Sequence, residues 1–299
     1  MRVLLLLLLF LLPGLAAAQT ERGEALHNDL FGEIIYHTVH YDDTFVDLAQ
    51  RYDVGFIELR AANPGVDPWV PAPGTQLIIP KAHIIPNAPR RGIIINLAEL
   101  RLYRFIGTQG SLVTYPIGIG RDGARTPLGT TKITSRRANP TWYPPASIRA
   151  EKPGLPSVVP PGPDNPLGEH ALYLGWRSYL IHGTNLPAGV GRRSSHGCIR
   201  MYPEDVASLF RSVANGTAVT VVDQPVKLGW SDGDLYLQIH PTQSQADEIE
   251  ASGAFTPADI PDLVSRVHKA AGAFTDRIDW DAVEYAAEMR LGVPLRITQ

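Results

Sequence analysis

The spacing of apolar residues between positions 34 and 80 predicts a strand, two helices and a second strand. Apolar residues recur every three to four positions in the helical segments, as on one helix face, whereas the strand segments are short apolar runs. Thr44 stands where the first helix needs an N-cap, and Asn63-Pro64-Gly65 ends the second helix. The predicted elements are a strand over 34–39, helices over 45–52 and 56–62, and a strand over 75–80.

Residues 92–223 contain short apolar or alternating runs separated by turn residues, which is typical of a mostly β domain. One helix is predicted after Tyr202, because Pro203 suits the first helical position and two acidic residues follow it. The proline-rich stretch 139–166 interrupts the pattern, and a loop of this length usually carries function or forms a lid. Strands are predicted over 92–96, 100–105, 113–120, 130–134, 171–174, 178–182 and 217–222.

The last part of the chain, residues 224–299, predicts an α+β appendage. Two apolar runs flank Ser231-Asp232-Gly233, which is a hairpin turn signal. One helix is predicted from Thr256-Pro257, and a last helix from Asp281 to Gly292. No pattern in this appendage indicates chemistry, so we expect it to be structural.

The N-terminal segment has the pattern of a secretory signal peptide over residues 1–18. Arg2 precedes an almost pure leucine run over 3–12, and Ala16-Ala17-Ala18 offers a small-residue cleavage site before Gln19. The run is too short to cross a bilayer, which needs roughly 20 apolar residues. We therefore expect an exported protein of roughly 280 residues that keeps no stable membrane span after cleavage.

Composition and charge argue against several function classes. The net charge is −3 and the chain has no basic stripe, so nucleic-acid binding is not expected. Residues 118–123 match the G-x-G-x-x-G spacing of dinucleotide sites, but a loop follows where such a site needs a helix, so these glycines are interpreted as turn residues. No H-E-x-x-H pattern or close His/Cys cluster predicts a metal site, and we expect no cofactor.

The chain has one cysteine, Cys198, in the segment Ser195-His196-Gly197-Cys198. In an exported protein a lone thiol has no internal disulfide partner, so it is either a small buried hydrophobe or a reactive nucleophile. A nucleophilic thiol needs a base. His182 on a separate predicted strand faces the thiol more readily than His196, which is two residues away, and we expect its imidazole to make the sulfur anionic.

Two glycines complete the candidate site. The Gly183 carbonyl follows His182 directly and would hold the second ring nitrogen of that histidine. Gly197 permits close backbone approach, so we expect the N–H groups of Gly197 and Cys198 to line an oxyanion hole. Together these residues predict acyl transfer through a cysteine nucleophile.

Two segments of this site, His182-Gly183-Thr184 and Ser195-His196-Gly197-Cys198-Ile199-Arg200, resemble the signature of the L,D-transpeptidase catalytic domain, the YkuD family. Residues 125–129 and 159–168 are similar to further segments of that family, and the resemblance covers about residues 92–223. It implies a β-sandwich or barrel with a few short helices. It also implies that Cys198 attacks a tetrapeptide stem of peptidoglycan at its third residue, releasing D-alanine and forming a thioester.

The same resemblance implies roles for the neighbouring residues. His182 would be the base, while Ser195, His196 and Arg200 would shape the site and hold the donor stem. Some members carry asparagine where Arg200 stands and serine where Gly183 stands, so the role of Arg200 is open, and we expect it to pair with a substrate carboxylate. In the long loop, Trp142 and Tyr143 either line the donor groove or pack simply against it. The residues at issue are Ser195, His196, Arg200, Gly183, Trp142 and Tyr143.

Residues 34–80 resemble a small α/β LysM module, whose role in other proteins is to bind peptidoglycan or chitin glycan; a packing domain without ligand is the alternative. The combined architecture resembles the periplasmic Gram-negative branch of the family, which implies a periplasmic protein whose partners are stem peptides and glycan strands. The acceptor is left open. It is a second stem, an outer-membrane lipoprotein, or water, and water would make the enzyme an L,D-carboxypeptidase or hydrolase. A catalytically inactive wall-binding protein is the remaining alternative.

Overall fold

A computed structural model describes residues 28–107 and 111–299. The signal peptide expected over residues 1–18 lies outside the described residues. Within the described ranges, no helix combines the length and the apolar character needed to span a bilayer.

The first unit has the predicted order of strand, helix, helix and strand, with an additional short strand on each side. Thr44 is the N-cap of the first helix, and its hydroxyl accepts a hydrogen bond from the Asp47 N–H at 3.2 Å. The outer strands β1 and β4 pair with each other, as do the inner strands β2 and β3. The elements are β1 (Leu30–Phe31), β2 (Ile35–Thr38), α1 (Phe45–Tyr52), α2 (Phe56–Ala62), β3 (Gln76–Ile79) and β4 (His83–Ile84).

The second unit is a mixed sheet of eight strands with two helices, which confirms the mostly β prediction. The elements are β5 (Ile93–Asn96), β6 (Arg101–Ile106), β7 (Ser111–Pro116), β8 (Ile119–Gly120), β9 (Gly129–Ala138), α3 (Ala146–Glu151), β10 (His170–Leu174), β11 (Leu180–His182), β12 (Arg193–Ser195), β13 (Ile199–Arg200), α4 (Pro203–Ser212) and β14 (Ala218–Val222). The strand order in the sheet is β13-β11-β10-β9-β14-β5-β6-β7, and β8 pairs separately with β12. Two of the neighbouring pairs, β5 with β14 and β11 with β13, are parallel.

The proline-rich stretch 139–166 is more ordered than a loop prediction implies, since it contains α3. Trp142 and Val159 exchange two backbone hydrogen bonds of 2.9 and 2.8 Å across its base. The buried Asn165 side chain donates to the Pro140 carbonyl at 2.8 Å and accepts from the Leu167 N–H at 2.9 Å. These hydrogen bonds therefore hold the two ends of the stretch together.

The third unit has the predicted hairpin, but its helices differ from the prediction. Its elements are β15 (Val226–Ser231), β16 (Asp234–Ile239), α5 (Gln243–Ser252), α6 (Leu263–Ala271), α7 (Trp280–Met289) and β17 (Leu295–Arg296). The helix expected from Thr256 is present as α6, but its predicted start is wrong: it begins at Leu263, after Pro257 and Pro261, which break the preceding segment. The sequence also misses α5, whose residues are mostly polar; a capping box at Thr242 starts it.

The last helix also ends earlier than predicted. Instead of continuing to Gly292, α7 ends at Met289 because Arg290 adopts a left-handed conformation at φ 46°.

The first two units share one hydrophobic core. Buried apolar side chains of α1 and α2 form a continuous cluster with those of the eight-stranded sheet and of α5, whereas the third unit has a smaller core of its own. At the junction, Glu58 and Arg101 are both buried and are 2.6 Å apart, and the Ile57 N–H donates to the Gly191 carbonyl at 3.1 Å. The Arg192 guanidinium also lies 3.5 Å from the centroid of the Phe56 ring. The first unit is thus fused to the sheet, in the sense that it shares the core of the sheet and contacts it directly rather than being joined to it only by a connecting segment.

Candidate active site

Two adjacent parallel strands, β11 and β13, place the histidine and the cysteine on one face. His182 is the register partner of Arg200, and Ile181 is that of Ile199. Because side chains alternate along a strand, Ile181 and Ile199 point into the core, while His182, Arg200 and the preceding Cys198 point the other way.

These side chains border a cleft of about 170 Å³. Its lining comprises Trp142, Ile148, Lys152, Pro166, Leu167, His182, Thr184, Asn185, Leu186, Ser195, His196, Cys198 and Arg200. Six residues that the sequence singled out are in this lining: Trp142, His182, Ser195, His196, Cys198 and Arg200. Tyr143 is exposed and is not part of the lining.

His182 is fixed in one tautomer. Its Nδ1 lies 2.6 Å from the Gly183 carbonyl oxygen, and because a carbonyl only accepts, Nδ1 must donate the hydrogen. Nε2 therefore carries the lone pair in the neutral ring. Burial, assisted by the positive charge of Arg200, lowers the pKa of His182 to about 4, so the ring is neutral at pH 7.

The surroundings of Cys198 favour its thiol form over the thiolate at neutral pH. Burial raises the pKa of the Cys198 thiol, and the Leu180 N–H and the Arg200 charge offset only part of this effect. The sulfur lies 3.5 Å from the Ser178 carbonyl, the acceptor for its proton. Desolvation favours the neutral form of both groups, which argues against the expectation that the imidazole of His182 makes this sulfur anionic at rest.

The loop before Cys198 is held by Ser195. The Ser195 hydroxyl donates to the Cys198 carbonyl at 2.6 Å and accepts from the Gly197 N–H at 3.1 Å. The Gly197 N–H is thus occupied, which argues against the expectation that it lines an oxyanion hole. Of the two N–H groups considered for that role, the Cys198 N–H is the remaining candidate.

Gly197 is required by its conformation and its surroundings. Its φ is 104°, and a Cβ at this position would lie 2.9 Å from Cε1 of Tyr179. The buried Thr126 hydroxyl donates to the Gly197 carbonyl at 2.9 Å, and it accepts from the Gly120 N–H at 3.3 Å. A Cβ on Gly120 would overlap the Ala124 carbonyl, so this member of the G-x-G-x-x-G pattern serves close backbone packing behind the cysteine loop.

His196 is directed at a different partner from the thiol. Its Nε2 lies 2.9 Å from a Glu151 carboxylate oxygen, and Arg121 donates to the same oxygen at 2.7 Å. Glu151 is the last residue of α3, so this cluster links the loop 139–166 to the cysteine segment. His196 is thus engaged in this cluster, whereas Nε2 of His182 has no hydrogen-bond partner among the described residues.

Sequence reasoning missed several residues at this site. Ser178 and Leu180 contact the sulfur through backbone groups, and no side-chain signal could identify them. Lys152 and Ile148 reach the cleft only because the loop 139–166 folds back over it. Among the described residues, no group of three His, Cys, Asp or Glu side chains is arranged to hold a metal ion.

Comparison with known proteins gives the family. A model of the L,D-transpeptidase catalytic domain (YkuD) matches residues 90–221, and a LysM domain model matches residues 37–80. The chain is 39% identical over 278 residues to a protein named Probable L,D-transpeptidase YcfS from Escherichia coli, covering 90% of this chain and 85% of that protein. The chain belongs to the L,D-transpeptidase family.

Other relatives carry the same family name. The chain is 40% identical over 257 residues to Probable L,D-transpeptidase YbiS of Escherichia coli, covering 83% of this chain and 81% of that protein. Among solved structures, the catalytic domain of the E. faecium L,D-transpeptidase is similar with 22% identity and a TM-score of 0.36, covering 46% of this chain and 99% of that chain.

Proposed function

We propose that this protein is a periplasmic peptidoglycan L,D-transpeptidase in which Cys198 is the nucleophile and His182 is the general base and acid. The observation that carries the proposal is the shared cleft: the thiol and the lone-pair nitrogen of a neutral imidazole, whose tautomer is fixed by the Gly183 carbonyl, border the same space. Family membership supplies the reaction class.

In the proposed reaction, Sγ of Cys198 attacks the carbonyl of the third stem residue while Nε2 of His182 takes the thiol proton. Collapse of the tetrahedral intermediate breaks the amide bond, and His182 returns the proton to the departing D-alanine amine. An acceptor amine then attacks the thioester, gives a proton to His182, and frees Cys198 as His182 reprotonates it. Because both groups are neutral at rest, the proton transfer accompanies the attack rather than preceding it.

The charge of the cleft supports a donor that carries carboxylates. Lys152 and Arg200 line it, and its described lining contains no Asp or Glu. A stem peptide bears free carboxylate groups, which these cations would hold.

We expect Lys152→Gln to raise KM for the donor severalfold with little change in kcat. Lys132→Gln, at an exposed strand position outside the cleft, should change neither. A fall in kcat at unchanged KM would contradict a binding role for Lys152.

The test of the function is incubation with tetrapeptide muropeptides, with and without an amine acceptor, read by mass spectrometry. A joined product that has lost one alanine is expected from the unaltered protein, and none from Cys198→Ala. Loss of alanine without joining, even with acceptor present, would instead identify a carboxypeptidase. Full turnover by Cys198→Ala would overturn the nucleophile assignment, and no product from the unaltered protein would favour an inactive wall-binding protein.

The acceptor and the LysM region complete the proposal. We infer that residues 34–80 bind peptidoglycan glycan and residues 92–223 form the catalytic domain, with 224–299 as an appendage. A second stem and an outer-membrane lipoprotein both offer an amine that would resolve the thioester. Separate incubations with each acceptor distinguish cross-linking from lipoprotein attachment.

A further inference from the structure

A second pocket lies in the third unit and shares no lining residue with the active-site cleft. It measures about 400 Å³ and is lined by the start of β15, the end of β16, the first part of α5, the segment 256–261, Arg266 of α6, and Arg290 just after α7. Its walls are partly apolar. The apolar lining is provided by Pro225, Val226, Ile239, Ile260 and Pro261.

Two guanidinium groups, Arg266 and Arg290, line this pocket, and in the described chain neither forms a salt bridge. Arg266 donates to the Val226 carbonyl at 2.7 Å. Arg290 donates to the Gln245 amide oxygen at 2.6 Å, to the Ala287 carbonyl at 3.0 Å and to the Ala258 carbonyl. All of these acceptors are neutral, so neither charge is paired with an anion through a direct hydrogen bond.

Arg290 is held in an unusual position. Its side chain is buried, with 3% of the residue exposed, and its backbone lies at φ 46°, a region that favours glycine or asparagine at a helix end. A guanidinium has five N–H donors, and the three hydrogen bonds leave two of them. Backbone strain of this kind clusters at functional sites. A buried charge without a direct counter-ion costs free energy, which a bound anion would offset.

The carboxylates near the pocket do not neutralise these cations. Glu248 accepts a hydrogen bond from the Thr256 N–H at 2.6 Å, and Asp259 is exposed at the rim. Neither lies within 4.0 Å of a guanidinium nitrogen of Arg266 or Arg290, and the same holds for Glu284 and Glu288, which line a neighbouring pocket together with Arg290. The pocket therefore combines an apolar wall with two cations that have donors to spare.

We propose that this pocket binds a ligand that carries a carboxylate on a small apolar body, such as the C-terminal residue of a peptide. Arg266, together with the spare donors of Arg290, holds the carboxylate in a charge-assisted contact. Val226 and Ile260 contact the apolar part. A free small acid and a peptide end share this chemistry, and the probes below separate the two.

The experiment is calorimetric titration of the full protein with N-acetyl-D-alanine, its neutral amide, propionate and inorganic phosphate. The acid is expected to bind and the amide at least tenfold more weakly. Tighter binding of N-acetyl-D-alanine than of propionate identifies a peptide end, and the reverse identifies a free acid. Equal binding of acid and amide, or phosphate binding as tightly as the acids, would overturn the proposal.

Variants locate the binding. Arg266 is exposed, so we expect Arg266→Gln to fold, and it should weaken binding of the acid at least tenfold. Lys269→Gln on the same helix makes the same charge change outside the pocket and should leave binding unaltered. Arg200→Gln removes a cation from the active-site cleft and should also leave it unaltered. If Arg266→Gln binds like the unaltered protein, or if Arg200→Gln abolishes binding, the pocket is not the site.

Discussion

Cys198 and His182 are both neutral groups at pH 7, which sets how the site works. Burial alone would deactivate a thiol, and here it raises the pKa of Cys198 while it lowers that of His182 to about 4. In the proposed mechanism, the gain is that His182 stays unprotonated, and so able to accept a proton, over most of the pH range. Reactivity then depends on geometry, namely the Gly183 contact that directs Nε2 and the Ser195 contacts that hold the loop.

The first prediction concerns the pH dependence of the thiol. We expect the rate of Cys198 alkylation by iodoacetamide to rise with pH and to reach half its maximum above pH 9, because the folded thiol has a raised pKa relative to its ordinary 9.0. Mass spectrometry measures the alkylation, with the denatured protein as control. A plateau in alkylation between pH 5 and 8 would instead indicate a resting thiolate–imidazolium pair.

The pH dependence of turnover reports on His182 instead. The value of kcat/KM should fall as pH drops through about 4, where His182 becomes protonated and no longer accepts a proton.

The second prediction concerns Gly197. We expect Gly197→Ala to lower kcat/KM by about 100-fold, because the added Cβ would meet Tyr179 and displace the cysteine loop. Gly123→Ala is the matched control, since that glycine also has a positive φ of 76° but has open space where its Cβ would lie. Similar losses in both variants would show that strain at φ alone, and not the contact with Tyr179, is responsible.

At the scale of elements, the site is made by the pairing of β11 with β13 and by the folding of α3 over them. The parallel pairing brings His182 into register with Arg200, 18 positions later in the sequence, and so places His182 beside the segment that contains Cys198. The Glu151 carboxylate on α3 contacts His196 and Arg121, which fixes the loop 139–166 to the cleft edge. Exposed ion pairs of this kind contribute little stability, so their value lies in positioning.

Asp53, the C-cap of α1, and Asp205 of α4 form a pair of carboxylates. Burial and the adjacent Asp53 carboxylate raise the pKa of Asp205 well above its ordinary 3.8. Asp53 and Asp205 each have one buried carboxylate oxygen without a hydrogen-bond partner, and a proton shared between the two carboxylates would satisfy both. A raised folded-state pKa favours the protonated form, so this pair lowers the free energy of unfolding as pH rises from 3.8 through the raised pKa.

We therefore predict that Asp205→Asn stabilises the protein at pH 8 by about 1–2 kcal/mol and has little effect at pH 4, because asparagine mimics the protonated acid. Urea unfolding at both pH values measures the difference. Glu204→Gln, at the exposed neighbouring position, controls for the change in net charge. A stabilisation that is equal at both pH values would rule out the shared proton.

For the whole molecule, the main feature is the fusion of the LysM region with the catalytic sheet. The buried Glu58–Arg101 pair joins the two regions, and Arg192, which stacks on Phe56, also pairs with Glu250 of α5 at 2.6 Å. A region that binds glycan would thus have a fixed distance and orientation relative to the active-site cleft.

Gly191 tests this fusion. Its φ is 71°, and a Cβ would overlap the backbone of Gly55 and Phe56, so we expect Gly191→Ala to push the LysM region away from the sheet. The free energy of unfolding should fall by about 2–4 kcal/mol, measured by denaturant titration, and the connection 81–91 should become sensitive to protease. Gly65→Ala, at φ 80° with nothing within 4 Å, should cost only about 1 kcal/mol. Unchanged protease resistance in Gly191→Ala would argue against the fused arrangement.

The sequence by itself determined most local elements and the family. Strand and helix periods, Thr44 as an N-cap and Pro203 at a helix start are local signals, and local chemistry is sufficient to decide them. The segments around His182 and Cys198 identified the family for the same reason, since a reactive site needs particular residue types at particular spacings.

Only the tertiary structure decided the rest. The protonation of Cys198 and His182 depends on burial, which no local pattern encodes, and the occupied Gly197 N–H follows from a loop closure by Ser195. The polar helix α5 forms because it packs against the fused core, and the Arg266–Arg290 pocket exists only where distant elements meet. Desolvation and long-range packing arise from contacts between segments that are far apart in the sequence, so they can be determined only from the folded structure.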